Sequence, residues 1–132
     1  MIKNIDVKTR SRTEFVNITS EVRKIVSESG VKSGVCSIYV PHTTAGVTIN
    51  EGADPSVVTD ILSSLNKLIP HSANYLHAEG NSDAHIKTSL VGSSETVIIE
   101  GGKLLLGTWQ AIFFCEFDGA RNRKVMVKVM GE

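Results

Sequence analysis

The sequence predicts an α+β fold with a largely antiparallel sheet, two main helices and one short one, and three observations carry that reading. Apolar and polar residues alternate as in strands at the start of the chain, over Ile2 to Arg10 and Glu14 to Ile18. Two helical periodicities with their own start and stop signals follow, from Thr19 to Gly30 and from Asp54 to Pro70. The last third returns to apolar strand-like runs separated by Gly101-Gly102 and Asp118-Gly119, pairs that signal hairpins. Strands first, helices inserted and hairpins last is the order of an α+β domain rather than of alternating βαβ units.

Taken in order, Ile2 to Arg10 and Glu14 to Ile18 are two strands joined by a polar turn at Ser11 and Arg12. Thr19 or Ser20 caps a helix whose Val22, Ile25 and Val26 share a face and which stops at Gly30. Gly34 to Val40 is rich in β-branched residues and ends at Pro41; after a turn at His42 to Gly46 a strand resumes at Val47 to Ile49. Asp54-Pro55 pairs a capping carboxylate with proline at the first helical position. The helix it opens carries Val58, Ile61, Leu62, Leu65 and Ile69 on one face before Pro70. Asn81 or Ser82 starts a short helix that runs to Val91, with Gly92 as its stop. Strands follow at Thr96 to Glu100, Leu104 to Leu106, Trp109 to Phe117 and Val125 to Met130.

A length of 132 residues suits a single domain, and 41% apolar with 21% charged residues is a globular composition. Fourteen basic residues balance fourteen acidic ones, so no net field favours nucleic acid. No run approaches the roughly 20 apolar residues of a membrane span. The charged start Met1-Ile-Lys-Asn-Ile-Asp lacks the apolar stretch of a signal peptide, and the expectation is a cytoplasmic protein with no nucleic-acid or membrane partner. Cys36 and Cys115 sit far apart in apolar runs and read as reduced core residues. The open edges of an antiparallel sheet need cover, and an oligomer interface is one way to supply it.

The densest polar group is His77-Ala-Glu-Gly-Asn-Ser-Asp-Ala-His85, with His77 in a loop and His85 in or just past the first turn of the short helix. His42 directly follows a strand, so three neutral imidazoles make a candidate tetrahedral site with an open fourth position for a metal; ordinary surface histidines are the competing reading. Glu51, Asp54 and Glu79 supply the oxygens that a hard cation such as Mg²⁺ prefers. Capping already explains Asp54, whereas Glu51 and Glu79 have no local duty and are candidates for acid–base work. His71, beside Pro70, suits interaction with a helix C-terminus. Trp109 is the only tryptophan and suits the core or a ligand platform, and Gln110 needs a hydrogen-bond partner if buried. Arg121, Arg123 and Lys124 read as a solvated hairpin tip, with a phosphate site as the alternative.

Four segments stand in one order along the chain: Pro41-His-Thr-Thr-Ala-Gly46, Asn50-Glu51 with Asp54-Pro55, His77-Ala-Glu-Gly-Asn81 with His85, and Gly107-Thr-Trp-Gln110. Together they resemble the YjbQ family, whose members are described as secondary thiamin-phosphate synthases, and the likeness covers nearly the whole chain. The resemblance implies two packed sheets, a homotrimer about a threefold axis and a cleft near the histidines. It also implies a transferase that joins hydroxymethylpyrimidine diphosphate to thiazole phosphate, with small phosphorylated substrates as partners. Such a reaction calls for a divalent metal, zinc or magnesium, here on His42, His77 and His85, to neutralise the leaving diphosphate. Thr43, Thr44, Asn50, Gln110 and the helix start at Asn81-Ser82 would bind substrate, and Trp109 would stack on the pyrimidine. Glu79, Glu51 and His77 would manage protons. The Ala120 to Lys124 tip is less fixed in such proteins, and no catalytic role is expected of it. Two further readings use the same residues: a metal-dependent hydrolase or lyase of a small phosphorylated compound, and a trimeric ligand-binding module without turnover.

Overall fold

The computed structural model describes all 132 residues, Met1–Glu132. The chain runs β1 (Ile2–Lys8), β2 (Glu14–Asn17), α1 (Thr19–Ser29), β3 (Ser33–Tyr39), β4 (Ala45–Glu51), α2 (Pro55–Leu68) and α3 (Ser82–Val91). It continues through β5 (Ser94–Glu100), β6 (Lys103–Leu104), β7 (Gln110–Glu116) and β8 (Asn122–Gly131). Every strand pair is antiparallel. The strands form two sheets, one ordered β1-β8-β3-β5-β6 and the other β2-β7-β4. The α+β class and the two longer helices with a shorter third are therefore as the sequence predicts, and the two sheets are as the family resemblance implies.

β7 explains the layering. Ala111 to Phe117 is buried at every position, without the alternation of a half-exposed strand, because both faces of this central strand are covered. Ile112 and Phe114 face the main core, where they meet Val22 and Val26 of α1 and the inward row Cys36, Ile38, Val97, Ile99, Val125 and Val127 of the larger sheet. Ala111, Phe113 and Cys115 face the other way, onto Phe15, Ala84 and the half-buried Val58, Leu65 and Val91. The smaller sheet is thus a middle layer between the larger sheet and the α2–α3 side.

The polar turns at Ser11-Arg12 and Asp118-Gly119 do not close hairpins; each carries the chain from one sheet to the other. The reason lies in β7, whose two edges are already paired as far as Glu116, with Glu14 on one side and Ala45 on the other. The residues after it have no free edge to fold back upon. Gly101-Gly102 does close a hairpin, β5 with β6, and both glycines have the positive φ (60° and 76°) that such a turn favours.

Helix ends follow the sequence signals with instructive exceptions. Asp54 caps α2 by accepting the Ser56 N–H at 2.9 Å ahead of Pro55, and Gly30 closes α1 in the left-handed region. At α1 the capping side chain is neither Thr19 nor Ser20 but Asn17, which accepts the Thr19 N–H at 3.0 Å. α2 contains no buried residue, so its apolar stripe is only half covered and Leu68 is 76% exposed. α3 turns Asp83, Ala84, Lys87 and Thr88 inward, a buried face with a single apolar residue. No helix is long and apolar enough to cross a membrane.

Candidate functional site

Three segments border an open cleft of about 560 Å³: Tyr39 to Thr44 at and after the end of β3, Glu79 to His85 around the start of α3, and Asp118 to Arg123 from the end of β7 into β8. Its lining is almost wholly polar: His42, Thr43, Thr44, Glu79, Asn81, His85, Asp118, Arg121 and Arg123, with Tyr39 and Pro41. Pockets for drug-like ligands are mostly apolar, so this one is suited to a small, hydrogen-bonding ligand.

Behind the lining, Arg123 belongs to a buried ion pair. Glu116 is fully buried and accepts from Arg123 Nε at 2.8 Å and Arg123 Nη2, from Thr9 Oγ1 at 2.7 Å and from the Asp118 N–H at 3.0 Å. Burial pushes the Glu116 carboxyl up, but the Arg123, Asp118 and Thr9 hydrogen bonds and the Arg123 charge outweigh it and hold it below the usual range. Arg123 Nη2 also donates to Thr44 Oγ1 at 2.8 Å. With Nε and Nη2 committed, Nη1 is the one guanidinium nitrogen without a protein acceptor, on a residue that borders the pocket. Arg121 repeats the pattern at the rim: Nε donates to the Asp118 carbonyl at 2.8 Å and Nη2 to Asp118 Oδ2 at 2.9 Å, which leaves its Nη1.

His42 is held beside this pair. Its Nε2 accepts the Lys124 N–H at 3.1 Å. Burial first, and then the Arg123 charge, lower its pKa from the ordinary histidine value, so the ring is neutral at pH 7. A neutral ring that accepts at Nε2 carries its proton on Nδ1, which makes His42 a donor of fixed tautomer. Asn81 does not cap α3; its Nδ2 donates instead to Asp118 Oδ2 at 2.9 Å and ties two pocket walls together.

The His77-to-His85 loop folds so that the two imidazoles meet edge to face with centroids 5.3 Å apart, and His77 Nε2 lies 3.7 Å from Glu79 Oε2. His71 braces the same loop, its Nε2 donating to the Gly80 carbonyl at 2.9 Å rather than serving a helix end. The fit to a divalent metal is partial. His77 approaches Glu79 and, separately, His85, but His42 already uses Nε2, and no set of three or more acidic, histidine or cysteine donors gathers around one point.

The remaining expected site residues lie at the other end of the smaller sheet, about 20 Å away along β4 at roughly 3.3 Å per residue. Glu51 pairs with Gln110 there. Asn50 Oδ1 accepts the Glu51 N–H, Glu51 Oε2 accepts the Ala53 N–H, and Gln110 Oε1 accepts the Gly107 N–H. Trp109 is 65% exposed and belongs to no core. The structure therefore joins His42, Thr43, Thr44, Glu79, Asn81 and His85 in one pocket, with His77 against His85 and Ser82 opening α3. It does not bring Asn50, Glu51, Trp109 or Gln110 to them. Residue patterns alone miss Asp118 and Glu116 and make a solvated tip of Arg121 and Arg123. A charged residue closing an otherwise apolar strand, Glu116, with an arginine just past the following turn, Arg123, is the available signal.

The family model described as "UPF0047 protein YjbQ-like" matches residues 3–132. A UPF0047 protein of Methanocaldococcus jannaschii is 58% identical over 132 residues, covering 100% of this chain and 96% of that protein. The UPF0047 protein YugU of Bacillus subtilis is 50% identical, covering 99% and 100%. Among solved structures, a YjbQ/UPF0047 protein of Clostridium acetobutylicum superposes with a TM-score of 0.96 at 55% identity, covering 97% of this chain and 99% of that one. A Sulfolobus solfataricus protein, described as YbjQ-like and of unknown function, gives a TM-score of 0.96 at 36% identity, covering 100% and 97%. These likenesses correct the expected reaction: the relatives are UPF0047 proteins without an assigned function, and nothing in them points to a thiamin-phosphate synthase. Across nearly all of its length the chain belongs to the YjbQ/UPF0047 family.

Proposed function

We propose that the protein binds a small phosphorylated molecule in the pocket between His42, His85 and Arg123. One observation carries the reading: Arg123 is clamped by Glu116 and Thr44 through Nε and Nη2 and keeps Nη1 free beside the pocket. A guanidinium fixed in this way loses little freedom when it accepts an oxyanion, and charge-assisted bonds to phosphate are the strong ones. Arg121 Nη1, the His42 Nδ1–H and the Thr43 and Thr44 hydroxyls are the further donors at hand. Glu79 and His85 line the same pocket, and His77 stands against His85.

The test is thermal unfolding with a panel of sugar phosphates, nucleoside monophosphates and inorganic phosphate, followed by calorimetry on any that stabilise. A ligand at a hundred times its Kd adds about 2.7 kcal/mol to stability. Arg121→Met removes an exposed charged donor and should cost about 1.5–3 kcal/mol of binding, roughly ten- to hundred-fold in affinity, while the fold persists. A panel without a single stabilising phosphorylated compound, or equal affinity in Arg121→Met and His85→Ala, removes the reading.

A further inference from the structure

A buried charge network lies just outside the pocket. Asp83 is fully buried, and its two oxygens accept from Arg12 Nη1 at 3.0 Å and Nη2 at 3.1 Å. Lys87, one turn on and 1% exposed, donates to the same carboxylate at 3.2 Å and to Asn66 Oδ1 of α2 at 2.7 Å. None of the three charged residues lines the pocket.

We infer that Arg12 and Asp83 are positioning residues that set α3, and with it His85 and Asn81, against the wall that carries Asp118, Arg121 and Arg123; the inference rests on the binding reading above. Most helices are oriented by an apolar stripe, but Ala84 is the only fully buried apolar residue of α3, with Val91 half-buried two turns on. So thin a stripe leaves much of the orientation to charge. A bidentate guanidinium–carboxylate pair has a definite direction that a point charge lacks, so it fixes the roll of the helix. His85 follows Asp83 by two residues and lies on a different side of the helix, so any roll about the axis swings its ring.

The other end of the brace is the backbone of the same turn. The Arg12 carbonyl accepts the Gly119 N–H at 2.9 Å. Thr9 N–H donates to the Arg121 carbonyl at 2.9 Å, and the Arg121 N–H returns to Thr9 Oγ1 at 2.9 Å. The approach is so close that a Cβ on Gly119 would lie 2.1 Å from the Ser11 carbonyl oxygen. Arg12 thus holds one pocket wall by its main chain and the other by its side chain. The single direct tie between those walls among the lining side chains is Asn81 to Asp118.

The test compares wild type with Arg12→Met/Asp83→Leu/Lys87→Met, Arg12→Lys and Asp83→Asn. Replacing a whole buried charge network by apolar residues is often neutral for stability, so the triple variant separates positioning from folding. Two readouts are taken well below every unfolding midpoint: inorganic phosphate affinity, and the edge-to-face approach of the His77 and His85 rings by NMR. The expected result is a folded triple variant with phosphate affinity down about ten-fold or more and its two rings apart, and Arg12→Lys between it and wild type. A folded triple variant with affinity within about two-fold and the rings still edge to face overturns the inference. If the triple variant does not fold, Arg12→Lys and Asp83→Asn decide on the same criteria. If wild type itself binds no phosphate, the binding reading falls, and the ring geometry alone decides whether the network orients α3.

Discussion

Replacing Arg123 with methionine breaks the buried pair from one side and leaves Glu116 with two neutral donors, Thr9 Oγ1 and the Asp118 N–H. One-sided loss of a buried pair costs about 3–5 kcal/mol, and the two surviving hydrogen bonds place this case near the lower end, about 3 kcal/mol. With an unfolding entropy of about 2.1 cal/mol/K per residue, a 132-residue chain loses roughly 3–4 °C per kcal/mol, so the midpoint should fall by about 10 °C. Removing both charges, as in Arg123→Met/Glu116→Leu, should restore much of the loss. The pH dependence supplies an independent sign. In the wild type the Glu116 carboxyl is held low, so its contribution is complete above the unfolded carboxyl range and disappears as pH falls through the lower folded value. Without Arg123, burial, the largest single influence on this carboxyl, is opposed only by the Asp118 and Thr9 hydrogen bonds, and the expected outcome is a carboxyl raised above its ordinary value. The deficit of Arg123→Met against wild type is then largest near pH 7 and shrinks towards about pH 5. Thermal and urea unfolding at both pH values measure it. A deficit under about 1 kcal/mol at neutral pH, or one that grows on acidification, refutes the argument.

Burial raises the Asp83 carboxyl, but Arg12 and Lys87 prevail and hold it low, so it adds stability above the unfolded carboxyl range that is lost as pH falls below it; Asp83→Asn should flatten this acid limb in pH-dependent unfolding. Burial also pushes the Cys36 thiol up to about 11 and raises Cys115, so a thiol reagent at about pH 8 should label neither cysteine in the folded protein and both in denaturant. Phe114, fully buried between the sheets, should cost about 3–5 kcal/mol as alanine in urea unfolding, and a loss under about 1 kcal/mol would mean that the core is not packed as described.

Local signals survive folding where the local chemistry has no competitor. Asp54-Pro55 starts α2 and Gly101-Gly102 turns β5 into β6, because a cap and a two-glycine turn are complete within a few residues. Asn81 has the side chain and position of a cap and is not one, since Asp118, 37 positions away, takes its amide. Asp118-Gly119 carries a hairpin signal, yet the pairing of both β7 edges decides the path there. The same limit applies to the site. Its histidines and threonines are legible as chemistry-bearing types, but Arg123 looks solvated in sequence because its partner Glu116 is separated from it by a turn whose course is set by tertiary pairing. Residue type alone groups Trp109 and Glu51 with the histidines, and the length of β4 keeps them apart.

The pairing of β1 with β8 has a kinetic consequence. Their ladder runs from Ile2 with Lys128 to Lys8 with Asn122, and the Thr9–Arg121 hydrogen bonds that extend it join residues 112 positions apart. Closing a loop of that length costs about 4 kcal/mol of chain entropy before any interaction inside it repays the loss. Neither strand β1 nor the pocket wall beside Thr9 can assume its place until β8 has left the ribosome. The local units, the β5–β6 hairpin and the helices, should therefore form first, and closure of the larger sheet should govern a comparatively slow folding rate.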